Sequence, residues 1–109
     1  MENSIPLDNN VIESDAVEIE KVKRAFFRNG RLTQSPAKMS KRIIAYRIIL
    51  DNFDTDRCYS EKEVNQIIGT IYHDYCDVRR FFVEMGWMTR KDGVYRRTLL
   101  TGSNTFDID

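Results

Sequence analysis

Nothing in the chain is long or apolar enough to cross a membrane, and no cysteine framework is present to brace a secreted scaffold. The longest run without a charged residue falls far short of the roughly 20 apolar residues that a spanning helix needs, and the opening MENSIPLDNN has neither the basic start nor the apolar stretch of a signal peptide. Two cysteines, Cys58 and Cys76, are too few for a disulfide scaffold, and both are expected as thiols. There is one histidine, His73, and no C-x-x-C pair, so Cys58, His73 and Cys76 make a poor zinc set. A Gly-rich phosphate loop is missing, no serine or cysteine nucleophile is arranged with His73, and the carboxylates are scattered. These absences predict a cytoplasmic protein that is not an enzyme and carries no cofactor and no metal. Cys76, in the first turn of a predicted helix where the dipole favours a thiolate, leaves redox sensing as an open reading.

Charge of each sign is missing from whole segments. Residues 1–20 carry six acids and no base, residues 98–109 two acids and no base, and residues 21–50 nine bases and no acid. The formal net charge of zero therefore hides an interior, residues 21–97, with all 17 bases against nine acids, a net of +8. A basic body with acidic ends suits a protein that meets polyanions, and it also arises without any ligand.

What the 109 residues do contain is one domain's worth of apolar material, 41% hydrophobic. Residues 1–13 read as a flexible acidic arm, 14–100 as a single domain and 101–109 as a flexible tail. A first helix is predicted over 15–29, with Asp15 and Glu18 as a capping box, Ile19, Val22 and Phe26 as its apolar stripe and Gly30 as its stop. The second is predicted over 36–53, capped by Ser35 ahead of Pro36, with Met39, Ile43, Tyr46, Leu50 and Phe53 as its main stripe. Ile44 and Ile48 lie off that stripe, so this helix requires cover on two sides, from the first helix or from a second copy of the chain.

CYSEKEVNQII sets Ser60 and Glu63 as a second capping box and Tyr59 and Val64 as a hydrophobic staple, starting a helix that runs to near Tyr72. A short turn later Asp74 caps a helix over 74–85, which Gly86 ends, in the manner of a helix-turn-helix. Asp92-Gly93 then marks a hairpin over 87–98, with Lys91 facing Val94 and Arg90 facing Tyr95. The predicted class is α+β, mainly α: a winged-helix-like arrangement, helix-turn-helix plus C-terminal hairpin, with an extra N-terminal helix.

On a helical wheel, residues 74–85 bury Val78, Phe81, Phe82 and Met85 and turn Cys76, Arg79, Arg80 and Val83 outward, with Tyr75 at the edge. That is the face a recognition helix lays in the DNA major groove. Arg79 or Arg80 would read guanine O6 and N7, and Val83 a thymine methyl. Asp77 and Glu84 stand at ion-pair spacing from Arg80, whereas Arg79 has no acid within helical reach, which makes it the freer of the two. Arg90, Lys91, Arg96 and Arg97 add bases on the hairpin for backbone contact, although charge there also keeps an edge soluble.

The segments GRLTQSPAKMSKRIIAYRIIL, DRCYSEKEVNQII and HDYCDVRRFFVEMGWMTRKDGVYRR, in this order and spacing, resemble a bacterial domain of unknown function, number two thousand and eighty-seven in its catalogue, over residues 30–97. The resemblance implies a small cytoplasmic protein; some members are joined behind an ArsR-type winged-helix regulator, which implies a place in transcriptional control. It also implies that a domain following a separate DNA-binding module binds an effector or partner instead. The expectation is thus a nucleic-acid-binding regulator, DNA favoured. The alternative is a protein-interaction or dimerisation module, a homodimer through helices 15–29 and 36–53, without direct DNA contact.

Overall fold

A computed structural model describes residues 16–98; the arm and tail expected at 1–13 and 101–109 lie outside the described residues. Helix α1 covers residues 16–26, followed by β1 (Phe27–Arg28), β2 (Arg31–Leu32), α2 (Met39–Leu50), β3 (Cys58–Ser60), α3 (Glu61–Gly69), α4 (Tyr75–Glu84), β4 (Met88–Lys91) and β5 (Val94–Arg97). The fold is α+β with two small antiparallel sheets, β1-β2 and β3-β5-β4. It divides into two compact units, one up to Arg47 and one from Ile48, the division falling within α2.

In the first unit the helix expected over 15–29 stops at residue 26. Asn29 and Gly30 both take positive φ, 54° and 80°, the pair that a two-residue type I′ turn requires, and they close a hairpin with Phe27 opposite Leu32 and Arg28 opposite Arg31. Gly30 therefore serves a strand turn and does not cap the helix. Val22 and Leu32 are buried. Helix α2 begins at Met39, three residues later than expected at 36: Ser35 does not cap it, because its hydroxyl is engaged 3.0 Å from the Tyr46 hydroxyl. The start is held instead by Arg42, whose guanidinium donates to the carbonyls of Pro36 (3.0 Å) and Ala37 (3.2 Å). Met39, expected in the buried stripe, is exposed, and the helix stops at Leu50, with Asp51–Phe53 in turns. From Ile43 to Leu50 only Arg47 is exposed, so the helix is enclosed nearly all round, as its apolar sequence demands.

The second unit is winged-helix-like in its element order: β3, two helices across a short turn, and the β4–β5 hairpin, with β3 laid antiparallel on β5. Ser60 ends β3 and caps α3. Its Oγ accepts from the Glu63 backbone N–H at 3.1 Å, and the Glu63 carboxylate accepts from the Ser60 N–H at 2.8 Å. Both staple residues, Tyr59 and Val64, are buried. Helix α3 ends at Gly69, short of the expected Tyr72, with Thr70 as its C-cap. Asp74 caps α4, its Oδ1 accepting from the Asp77 N–H at 3.2 Å.

The end of α4 is a Schellman motif. Trp87 N–H donates to the Phe82 carbonyl at 2.8 Å, Gly86 N–H to the Val83 carbonyl at 3.1 Å, and Gly86 sits at φ 77°. The apolar contact of that motif is present too, with the Trp87 and Phe82 rings 6.2 Å apart. Because the chain turns away at Gly86, Met85 becomes the C-cap and is exposed, against the expectation that it is buried. The core of this unit includes Phe53, Tyr59, Val64, Ile68, Val78, Phe82, Met88 and Tyr95.

Ser60→Ala is expected to lower stability by about 1 kcal/mol, in the ordinary range for losing a side-chain N-cap, readable as a urea-midpoint shift. The Ser60 N–H, aided by Arg57 3.1 Å away, holds the Glu63 carboxyl below its ordinary range. A folded pKa below the unfolded one, about 4.3, contributes stability above that value and loses it as pH falls through the folded value. Glu63→Gln should therefore flatten the acid limb of the stability–pH curve.

Candidate nucleic-acid interface

The nine residues expected at the interface separate into three groups. Cys76, Arg80 and Val83 do form the outward face of α4, with Tyr75 exposed at its N-terminal end. Arg90, Lys91 and Arg96 are exposed on the hairpin in the expected register, Arg90 opposite Tyr95 and Lys91 opposite Val94. Arg79 and Arg97 are turned to structural work.

Arg79 is the main correction. Its side chain is only 18% exposed; it donates to Asn65 Oδ1 and lies 4.0 Å from Glu61 Oε2, both on α3. Being three residues before buried Phe82, it lies about 60° round the helix from the core, on the flank that faces α3. Its partners are far away in sequence, beyond any search at helical spacing. Tyr95 completes the cluster by donating to Glu61 Oε1 at 3.0 Å; burial first, and then that carboxylate, push its phenol above the ordinary range, so it stays a donor. One carboxylate thus ties α3 to α4 and β5.

Arg97, expected on the hairpin's returning strand as a backbone contact, caps the turn after α2. It donates to the carbonyls of Leu50 (3.3 Å) and Phe53 (3.0 Å) and pairs with Asp51 at 3.3 Å. Arg80, which the sequence supplies with local acids, is exposed and makes no ion pair with Asp77 or Glu84. The roles of the two arginines are therefore the reverse of those expected.

Between α4 and the hairpin lies a groove of about 270 Å³, lined by Glu61, Arg79, Arg80, Val83, Glu84, Arg90 and Tyr95. The Arg90 guanidinium hangs 6.0 Å from the Tyr95 ring centre, at the outer limit of a cation–π contact. Glu61, Glu84 and Tyr95 line the groove and are not among the interface residues expected from the sequence. The signal for Tyr95 is its register opposite Arg90; for Glu61, 34 residues from Tyr95, there is none. Arg96 leans on Cys58 across the sheet, 3.0 Å from its sulfur, and both cysteines are exposed. Among the described residues no three His, Cys, Asp or Glu side chains gather as a metal set, and no helix is long and apolar enough to cross a membrane.

The family described as an uncharacterized protein conserved in bacteria (DUF2087) matches residues 31–97, more than half of the chain. The chain belongs to this family. No curated protein and no solved structure matches it. The DUF2087 match takes in β2, α2 and the whole second unit as far as Arg97, and so includes the Glu61–Arg79–Tyr95 cluster, while α1 and β1 precede it.

In this DUF2087 protein Arg79→Ala should act on stability first. A hydrogen bond from a charged group is worth roughly 1.5–3 kcal/mol, and the half-exposure of Glu61 trims this to about 1–2 kcal/mol. Thermal melting reads the loss. Arg80→Ala, on the exposed face, should leave the melt within about 0.5 kcal/mol of the parent.

Proposed function

We propose that the protein binds double-stranded DNA as a bacterial transcriptional regulator, with α4 in the major groove and the β4–β5 hairpin against the neighbouring backbone. The observation that carries the reading is the outward face of α4. In a unit with the element order of a winged helix, Cys76, Arg80 and Val83 stand exposed on the side away from Val78, Phe81 and Phe82, with Tyr75 exposed at the edge of that face. The N-terminal part of a recognition helix comes nearest the base edges, and this is where Tyr75 and Cys76 lie, with Arg80 one turn further on. Arg80 offers a guanidinium fork for guanine O6 and N7, Val83 an apolar contact for a thymine methyl. Arg90, Lys91 and Arg96 supply phosphate contacts that position the protein without reading sequence. Arg79 and Arg97 fix the elements that present them. The cytoplasm is the location that goes with this reading.

Fluorescence anisotropy with a labelled mixed-sequence duplex at low salt tests it. Binding tighter than about 10⁻⁴ M, weakening linearly in log–log form with salt, is expected. No binding up to that concentration contradicts it.

A protein partner on the same face is the second reading. It is favoured by Val83, an exposed apolar side chain on that face, with Tyr75 exposed at its edge, and by Glu61 and Glu84 among the arginines of the groove. Self-association through residues 15–29 and 36–53, where Val17 and Met39 are each 52% exposed, is its homodimeric form. Light scattering separates them: a concentration-dependent dimer with no duplex binding favours the partner, a monomer that binds duplex the DNA.

A further inference from the structure

The positive charge is not where the winged-helix-like unit is. Residues 48–98 hold eight bases against nine acids, whereas residues 16–47 hold nine bases against two acids. One of those two, Glu18, is flanked by Lys21 at 3.6 Å and Lys41 at 3.9 Å. Seven of the nine bases are exposed: Lys21, Lys23, Arg24, Arg28, Arg31, Lys38 and Arg47.

The β1–β2 hairpin concentrates the effect. Its type I′ turn sets Arg28 and Arg31 directly opposite each other, on the same face of a ladder only two rungs long. Like charges so placed repel and weaken the pairing, and the turn itself asks only for Asn29 and Gly30. A row of phosphates beside the turn would offset that repulsion. Arg28 is also bent back to donate to the carbonyls of Arg24 (3.1 Å) and Phe27 (3.0 Å), which holds its guanidinium at the end of α1. Among the described residues the side chains of Lys23, Arg24 and Lys38 make no hydrogen bond or ion pair, so the fold does not use their charge.

We propose that residues 21–47 form a phosphate-contact surface of their own, centred on the Arg28–Arg31 hairpin tip, which binds the backbone of duplex DNA independently of α4 and the second hairpin. The inference rests on the DNA reading above and deepens it: α4 chooses the site, and this segment supplies attraction that is indifferent to sequence. Duplex DNA presents one phosphate per about 1.7 Å of axis and releases condensed counterions for each one neutralised. A dense run of exposed bases, with Glu18 and Glu20 as the acids among residues 16–47, is the surface that gains most from that release.

The test is the salt dependence of duplex binding by the full chain, followed by anisotropy. Arg28→Gln with Arg31→Gln should reduce the log–log slope by about 2, and Lys23→Gln, Arg24→Gln and Lys38→Gln together by about 3, near 0.9 for each phosphate no longer neutralised. The triple variant removes side chains without bonds to the fold, so it stays informative if the hairpin variant melts early. If both variants bind duplex with the parent slope, the surface is overturned while the DNA reading stands. If instead an Arg80→Ala, Arg90→Ala variant keeps the parent affinity while the 21–47 variants lose theirs, the surface stands and the role given to α4 falls. A parent that ignores duplex and binds vesicles of anionic lipid overturns both.

Discussion

Phe82→Ala is expected to lower stability by about 3–5 kcal/mol, the usual range for truncating a buried phenylalanine. Phe82 is fully buried in the last turn of α4, edge-on to Phe53 with ring centres 6.0 Å apart and close to Trp87. Its carbonyl also accepts the Trp87 N–H that closes the helix. Truncation leaves a void beside the Phe53 and Trp87 rings, and neither ring can relax into it without opening a gap elsewhere. Phe53 is held against Tyr59, 5.0 Å away, whose hydroxyl in turn accepts from the Asp54 N–H at 2.8 Å. A domain of this size has roughly 5–15 kcal/mol in all, so the variant should melt at least about 12 °C lower, by roughly 4–8 °C per kcal/mol. Val83→Ala, one residue on but facing outward, should stay within about 0.5 kcal/mol. The pair therefore tests the orientation of α4: comparable losses at both positions would mean that the helix is rotated.

Arg80→Ala is expected to weaken binding to a preferred duplex by roughly 10- to 100-fold, since a bidentate arginine–guanine contact discriminates by about 1–3 kcal/mol. Against a scrambled duplex the same change should weaken binding by only a few-fold, because it then removes one phosphate-range charge and no base contact. Arg90→Ala should weaken both duplexes alike, as a backbone contact does. The contrast with Arg79 sharpens the test. Arg79→Ala removes the same charge from the adjacent position, yet its guanidinium is committed to Asn65 and Glu61, so its effect should appear in the melt. Equal affinity losses from Arg79→Ala and Arg80→Ala, in proteins equally folded, would put the reading face elsewhere.

How much of this is legible in the sequence follows from the range of each interaction. Ser60 with Glu63, Asp74 with Asp77, Gly86 after α4 and Asp92-Gly93 are all set by neighbours within a few residues, and each is where its motif predicts. Asn29-Gly30 is the same kind of signal as Asp92-Gly93, but the apolar stripe Ile19, Val22, Phe26 runs straight into it and reads as a helix needing a stop. A glycine at positive φ fits both a helix end and a type I′ turn; Asn29, also at positive φ, decides for the turn. Strand β3 has only three residues, too short for an alternation to register, and is specified by its pairing with β5.

The candidate interface is legible as a face and not as individual side-chain partners. Cys76, Arg80 and Val83 follow from the periodicity of Val78, Phe81 and Phe82. Arg79 departs from expectation because its partners lie on another helix, Asn65 being 14 residues away, and Arg97 because its partners lie 44 to 47 residues away. Net charge tells less than it promises: the interior excess of bases is real, but it belongs to residues 21–47 and not to the unit that carries α4.

Whether the outward face of α4 and the β4–β5 hairpin meet DNA is decided by amide chemical-shift mapping of the ¹⁵N-labelled full chain titrated with a duplex. The largest shifts are expected at Tyr75, Cys76, Arg80 and Val83 and along 88–96, with Val78 and Phe82 moving little. A bound duplex that leaves residues 75–83 and 88–96 unmoved would rule this interface out.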